Sequence, residues 1–183
     1  MTVIEEWDRA TLWSRRDDVL EVYAAAMDVP RAVARGRRGV VAGHLDRDGL
    51  RTLAAVEEDG GLVGVAYGYL GAPGQWWHDQ VRTALAATAG TPACDAWMSD
   101  AFEVCELHVL PGRQGQGLGR RLLDGLLDGT AARSALLTTP DTETRARGFY
   151  RAAGWVDLVR WLRFPGDPRE FAVLGLSLEG RHA

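Results

Sequence analysis

At 183 residues and a net charge of −4, the chain has room for one full hydrophobic core, and its charge argues against non-specific nucleic-acid binding. Apolar residues make up 46% and charged residues 25%, the balance of an ordinary globular domain, and no uninterrupted apolar run is long enough to span a bilayer. Apart from histidine every basic side chain is arginine, which excludes a Walker A lysine, a Schiff base and a pyridoxal phosphate anchor.

Val3 to Trp7 reads as a first strand. Ser14 is the expected N-cap of a helix through Met27, with Val19, Leu20, Tyr23 and Met27 on one face. Pro30 suits the first turn of a second helix running to about Leu45. Leu50 to Glu58 and Leu62 to Leu70 read as strands joined at Asp59-Gly60-Gly61, a hairpin signal. Trp76, Trp77, Val81 and Leu85 fit a helix face, and Thr88 to Ala93 reads as loop, so residues 75–101 form a helical insert.

From Phe102 the pattern clears. A strand to Leu110 feeds a glycine-dense turn and a helix to about Ala131 carrying Leu118, Leu122, Leu123 and Leu126. A short strand, Ser134 to Thr139, precedes a helix from Thr142 to Ala153, ended by Gly154. Trp155 to Phe164 and Glu170 to Leu178 read as closing strands around Pro165-Gly166-Asp167-Pro168. The expected fold is one α/β (mixed α+β) domain over residues 1–183.

Met1-Thr2-Val3-Ile4-Glu5-Glu6 lacks the basic then apolar pattern of a signal peptide, so the expected location is cytoplasmic. The arginine, alanine and glycine bias matches a GC-rich bacterial genome. Cys94 and Cys105 supply neither a metal spacing nor a disulfide framework, and no metal is expected. Cys105, within an apolar strand, reads as a core thiol.

The chemistry concentrates in Gln114-Gly115-Gln116-Gly117-Leu118-Gly119-Arg120. A glycine-dense turn entering a helix makes a nest of free backbone N–H groups at the positive end of a helix dipole, which suits phosphate. Gly115, Gly117 and Gly119 lack the side chain that would hold a diphosphate off the backbone. The spacing does not fit the Gly-x-Gly-x-x-Gly of a dinucleotide site, nor does an opening βαβ unit precede it.

Two motifs make the chain resemble the GNAT superfamily of N-acetyltransferases. Gln114-Gly115-Gln116-Gly117-Leu118-Gly119, after Leu107-His108-Val109-Leu110-Pro111, fits the family's Gln/Arg-x-x-Gly-x-Gly/Ala signature. Ala146-Arg147-Gly148-Phe149-Tyr150-Arg151-Ala152-Ala153-Gly154-Trp155 is similar to its Ala-x-x-Phe-Tyr-x-x-x-Gly-Phe pattern, with tryptophan last. The family often has asparagine a few residues earlier; here that stretch is Asp141-Thr142-Glu143-Thr144. The resemblance implies a mixed, mostly antiparallel sheet flanked by helices. It also implies acetyl-CoA as co-substrate and an amine of a small molecule or peptide as acceptor, joined by direct transfer in a ternary complex. No nucleic acid or membrane partner is implied, and because relatives often pair, a homodimer is admitted.

By resemblance, the amides of Gln114 to Arg120 hold the diphosphate. The pantetheine arm lies against the strand at Leu107, His108 and Val109, and an N–H near Leu107 meets the oxyanion. Glu103 and Glu106 are the candidate bases for the acceptor amine. They are an odd number of positions apart, so a regular strand turns them to opposite faces. Glu103 matches the place of a catalytic carboxylate in some members and is preferred, with Glu106 second; either acid also fits a solvated charge or ion-pair partner. His108 reads as a proton relay or as a packed, hydrogen-bonded histidine. Tyr150 is implied as the acid that protonates the departing CoA thiolate, the alternative being a packed aromatic beside Phe149.

Trp76-Trp77-His78-Asp79 reads either as a wall over the acceptor or as a helix packing its tryptophans, and Arg31, Arg35, Arg37 and Arg38 as an attractor for an acidic acceptor or a solvated helix face. The functional alternative is a non-catalytic acyl-CoA-binding or regulatory domain of the same fold.

Overall fold

The computed structural model describes residues 1–180; the last three positions of the expected 1–183 domain lie outside the described residues. The chain opens with β1 (Thr2–Trp7), α1 (Arg9–Ser14), α2 (Arg16–Met27), α3 (Arg31–Arg35) and α4 (Arg38–His44). A hairpin of β2 (Arg51–Glu57) and β3 (Leu62–Leu70) follows, then α5 (Trp76–Ala89), α6 (Thr91–Met98) and β4 (Ala101–Val109). A single 3₁₀ turn at Pro111–Arg113 leads to α7 (Leu118–Asp128), β5 (Ser134–Pro140), α8 (Arg145–Ala152), β6 (Val156–Leu162) and β7 (Phe171–Ser177). The strands form a mixed, mostly antiparallel sheet of seven, in hydrogen-bonded order β1-β2-β3-β4-β5-β7-β6.

Contacts gather into two compact units: residues 1–69 with 104–130, and residues 70–103 with 131 onward. Strand β4 contributes Ala101–Glu103 to the second unit and Val104–Val109 to the first. Its parallel pairing with β5 covers those same first residues, Ala101 to Glu103, after which β5 continues against β7.

The first unit buries Trp7, Leu12, Val19, Val22, Ala54, Val56, Leu62 and Val65 together. On α7 the heptad-like spacing of Leu118, Leu122, Leu123, Leu126 and Leu127 puts all of them below 5% exposure, a burial worth about 1.5–3 kcal/mol per leucine before entropy is charged against it. The second unit packs Val81, Leu85, Cys94, Met98, Leu136, Val159 and Val173 into its own core. Its buried thiol is Cys94, while Cys105, expected in a core, is half-buried.

Several helix boundaries differ from expectation. The first helix begins at Arg9, because the Asp8 carboxylate accepts from the Thr11 amide at 2.7 Å and caps it. Ser14 is no N-cap: it ends α1, its hydroxyl donating to the Thr11 carbonyl at 2.9 Å. The helix expected from Pro30 to Leu45 breaks at Gly36 and Arg37 into α3 and α4. The loop expected at residues 88–93 shrinks to Gly90 (φ 84°), since Pro92 sits in the first turn of α6, where its missing N–H costs nothing. Helix α8 starts at Arg145 rather than Thr142, capped by Thr144, whose hydroxyl accepts from the Arg147 amide at 3.1 Å.

In the second unit Asp141 organises a buried charge network. Its carboxylate, fully buried, pairs with the fully buried Arg147 and with Arg160, and accepts the Trp161 amide at 2.6 Å. Arg147 also reaches Asp157 at 2.8 Å. Trp161 needs that anchor, because its φ of 57° is a left-handed conformation a bulky side chain resists. The hydrogen bond from Arg160 leads the causes that hold Asp141 down at about 2, against an ordinary 3.8. A depressed aspartate stabilises the fold above its unfolded pKa and loses that contribution as pH falls through the folded one. Asp141→Asn should therefore cost about 3 kcal/mol at pH 7, roughly 6–12 °C in melting temperature. The gap to the wild type should narrow as pH falls from about 4 toward 2 in thermal melts.

Candidate functional site

The strand-turn-helix segment has the geometry of an anion cradle. Leu110 ends its strand by donating to Val63 O at 2.9 Å, and the Gln114 side chain clamps the turn by donating to Val109 O at 3.0 Å. Gly115 and Gly117 both take φ of 78°, and Gly117 is the N-cap of α7, with no side chain capping the helix. The first amide to find a helical carbonyl is Arg121, donating to Gly117 O at 3.0 Å. The amides of Leu118, Gly119 and Arg120 thus have no carbonyl one turn back within the helix. A Cβ built on Gly117 would meet no atom within 4 Å. Glycine is there for its backbone angle and for the bare approach it leaves, both of which fit a diphosphate.

In the same unit a small recess is lined by Val19, Leu20, Tyr23, Arg37, Val41, Tyr67, Glu106 and His108. Glu106 and His108 are two positions apart on β4, so both point to this side, and their side chains meet at 2.5 Å. Arg37 reaches the other Glu106 oxygen at 2.5 Å, its guanidinium lying 4.6 Å over the Tyr23 ring. Tyr23 also meets His108 edge-on at 5.2 Å. Burial pushes the Glu106 carboxyl up, but the hydrogen bond and charge of His108, with the Arg37 guanidinium, outweigh it and hold the group below the usual glutamate range. Tyr67 is pushed well up by burial and stays a neutral phenol, 3.2 Å from Nδ1 of His44, which burial pushes down. The recess thus combines apolar walls, two phenols and one ionised carboxylate.

The second unit holds the other expected residues. Glu103 is buried and bonded to Nδ1 of the buried His78 at 3.0 Å. A Cβ on Gly71 would come within 2.5 Å of Glu103 Oε1 and 2.8 Å of His78 Nδ1, so only glycine admits this pair. Tyr150 is buried on α8, its ring 5.2 Å from Phe149 and 5.7 Å from Trp155. Trp77 donates to Thr138 Oγ1 at 3.3 Å and packs on the unit's core, while Trp76, 56% exposed, leans on Phe164 at 5.4 Å.

Of the basic run, Arg31 and Arg35 pair with Glu21 and Arg38 with Asp17, all near the surface. Arg37 alone among these four turns into the recess. With Tyr23, Tyr67 and His44 it completes a constellation that sequence reasoning did not assemble. Among the described residues no group of three or more His, Cys, Asp or Glu side chains could hold a metal ion, and no helix is long and apolar enough to cross a membrane.

The chain and its fold resemble known proteins. Residues 16–155 match the model of the acetyltransferase (GNAT) family. The chain is 40% identical over 190 residues to a GCN5-like protein acetyltransferase of Mycobacterium tuberculosis, covering 90% of this chain and 92% of the relative. In fold it is similar to a GNAT-family acetyltransferase from Desulfovibrio desulfuricans (TM-score 0.67, 18% identity, 97% and 99% of the two chains). It is also similar to an acetyltransferase from Salmonella typhimurium solved with its cofactor acetyl-CoA (TM-score 0.59, 18% identity, 100% and 97%).

Proposed function

Because the chain belongs to the GNAT acetyltransferase family, whose members use acetyl-CoA as co-substrate, we propose that it moves the acetyl group directly to a primary amine of a protein, peptide or small molecule. The observation that carries this reading is the uncapped start of α7 behind two left-handed glycines. The amides of Gly115–Arg120 hold the diphosphate, the expected Gln114 amide being spent on Pro111 O at 3.3 Å, and β4 at Leu107, His108 and Val109 offers backbone to the pantetheine arm. An amide near Leu107 stabilises the tetrahedral oxyanion. The family match draws on residues of both units, which supports their acting as one catalytic domain. The GCN5-like relative's name supports a protein amine as acceptor.

An alkylammonium group must lose its proton before it attacks. Glu106 serves this step better than Glu103, because it lines a recess and touches a second proton carrier, His108, whereas Glu103 is closed in against His78. Glu103 then positions α5 against the start of β4. Tyr150, by its place in the second motif, protonates the leaving thiolate.

Thiol release from acetyl-CoA against a panel of amines and lysine-bearing peptides tests the assignment. Binding with no turnover on any of them would leave the non-catalytic acyl-CoA-binding reading instead. Tyr150→Phe should lower kcat by about tenfold while the Kd for acetyl-CoA stays within twofold. The loss falls below the ~10²–10⁴-fold usual for a general acid because a thiol of pKa about 8.5 leaves tolerably well as its anion. Single-turnover kinetics beside calorimetric binding separate the two quantities.

A further inference from the structure

Arg37 is the one cation of its run whose partner lies inside the recess, and its two contacts define a small recognition problem. A carboxylate, 12% exposed, bonds the guanidinium at 2.5 Å, and an aromatic face lies 4.6 Å beneath it. Val19, Leu20 and Val41 supply apolar walls around them. An ionised carboxylate with an aromatic face and aliphatic walls is the environment that recognises an organic cation on an alkyl stem. The protein fills that environment with its own side chain.

The fold makes this filling reversible. Arg37 lies at the break between α3 and α4, not within a helix, and no side chain caps α4 at that point. Its own side chain remains 36% exposed, so it has water to return to. The neighbouring turns are fastened independently, Arg31 to Glu21 at 2.7 Å and Arg38 to Asp17 at 2.8 Å. Arg37 can therefore swing without unpacking either short helix.

We propose that the recess is a binding subsite for an alkylammonium or guanidinium group of the acceptor, and that Arg37 is an internal stand-in which this group displaces. The inference rests on the amine-acceptor reading and adds to it an occupant, a residue that must leave, and an order of events. The incoming cation takes over the Glu106 contact and the Tyr23 face, and Arg37 passes to solvent. Exchange of one cation for another keeps the buried carboxylate paired throughout, which avoids the several kcal/mol that an unpaired buried charge costs. Glu106 loses the guanidinium that lowers its proton affinity at the moment an ammonium proton arrives beside it. Anionic acceptors gain nothing from the exchange.

Ethylguanidinium, a copy of the arginine tip, is the probe, and calorimetry without acetyl-CoA is the readout. Arg37→Ala should bind it saturably, at least tenfold more tightly than the wild type, whose site is already filled. The double variant Arg37→Ala/Glu106→Gln should lose that gain. Arg37→Gln, which keeps a polar side chain but no charge, should show a gain in the same direction and serves if the alanine variant folds poorly. With an alkylamine acceptor, either single variant should lower KM about tenfold. Equal ethylguanidinium affinity in wild type and variants, or a gain that survives loss of Glu106, would overturn the proposal. Both outcomes are independent of acetyl transfer, so failure here is distinguishable from absence of thiol release by the wild type, which would sink the functional reading itself.

Discussion

Replacing Gly117 with valine should weaken acetyl-CoA binding about a hundredfold, close to 2.7 kcal/mol, while leaving the free protein folded. Two effects combine. The residue holds φ at 78°, and a side chain in the left-handed region costs about 1–2 kcal/mol, more for a β-branched one. The Cβ would also project into the space before the first amides of α7, where no protein atom lies within 4 Å. The φ strain is carried by the free protein too and reads as a lower melting temperature, whereas the Cβ meets no protein neighbour, so the loss of binding comes from its projection toward whatever the amides hold. Calorimetry of acetyl-CoA binding, with a melting curve of the free variant beside it, reads both halves. An unchanged dissociation constant would mean that the diphosphate is held elsewhere.

Glu106→Gln should reduce kcat/KM for an alkylamine about a thousandfold at pH 7, within the range of general-base catalysis. The sign of its pH dependence is the stronger test. Because Glu106 is held below the usual glutamate range, the wild type keeps its carboxylate throughout the neutral region, and this group loses its charge only in acid below that range. A free alkylamine titrates near 10.4, so below that value its neutral fraction rises about tenfold per pH unit. The variant should gain on the wild type as pH is raised from 7 to 9, since the amine increasingly arrives without its proton. A ratio independent of pH would remove Glu106 from proton transfer and leave it only as a charge partner of Arg37. Such a variant also leaves Arg37 and His108 without their carboxylate, so melting temperatures belong beside the rates.

The parts of this site that local spacing encodes were legible. Strand, glycine turn and leucine-faced helix follow one another within residues 101–128, and the sequence reading and the structure agree on them to within about three residues at each boundary. The parts that depend on distant partners were not. Arg37 looks in sequence like Arg31, Arg35 and Arg38; only a partner 69 positions away tells it apart. The same holds for Glu103, whose character changes once His78, 25 positions earlier, is found against it. The helix break that frees Arg37 falls at Gly36, and glycine inside a helical pattern is an ambiguous signal, since Gly39 and Gly43 lie within α4 without breaking it. The sequence reading placed the first N-cap at Ser14, and only the bond from the Thr11 amide to Asp8 shows where the first helix begins.

Every side-chain cation in these networks, from Arg37 over Tyr23 to Arg147 between its two aspartates, is a guanidinium. Its positive charge persists at any pH the protein survives, so it is no nucleophile toward a thioester. An enzyme that handles an activated acyl group would, with lysines in such places, risk labelling itself. This one offers no ε-amine anywhere in its 183 residues. Acetyl-lysine detected after incubation of enzyme, acetyl-CoA and a protein target is therefore entirely the target's, and blotting for it carries no background from self-modification.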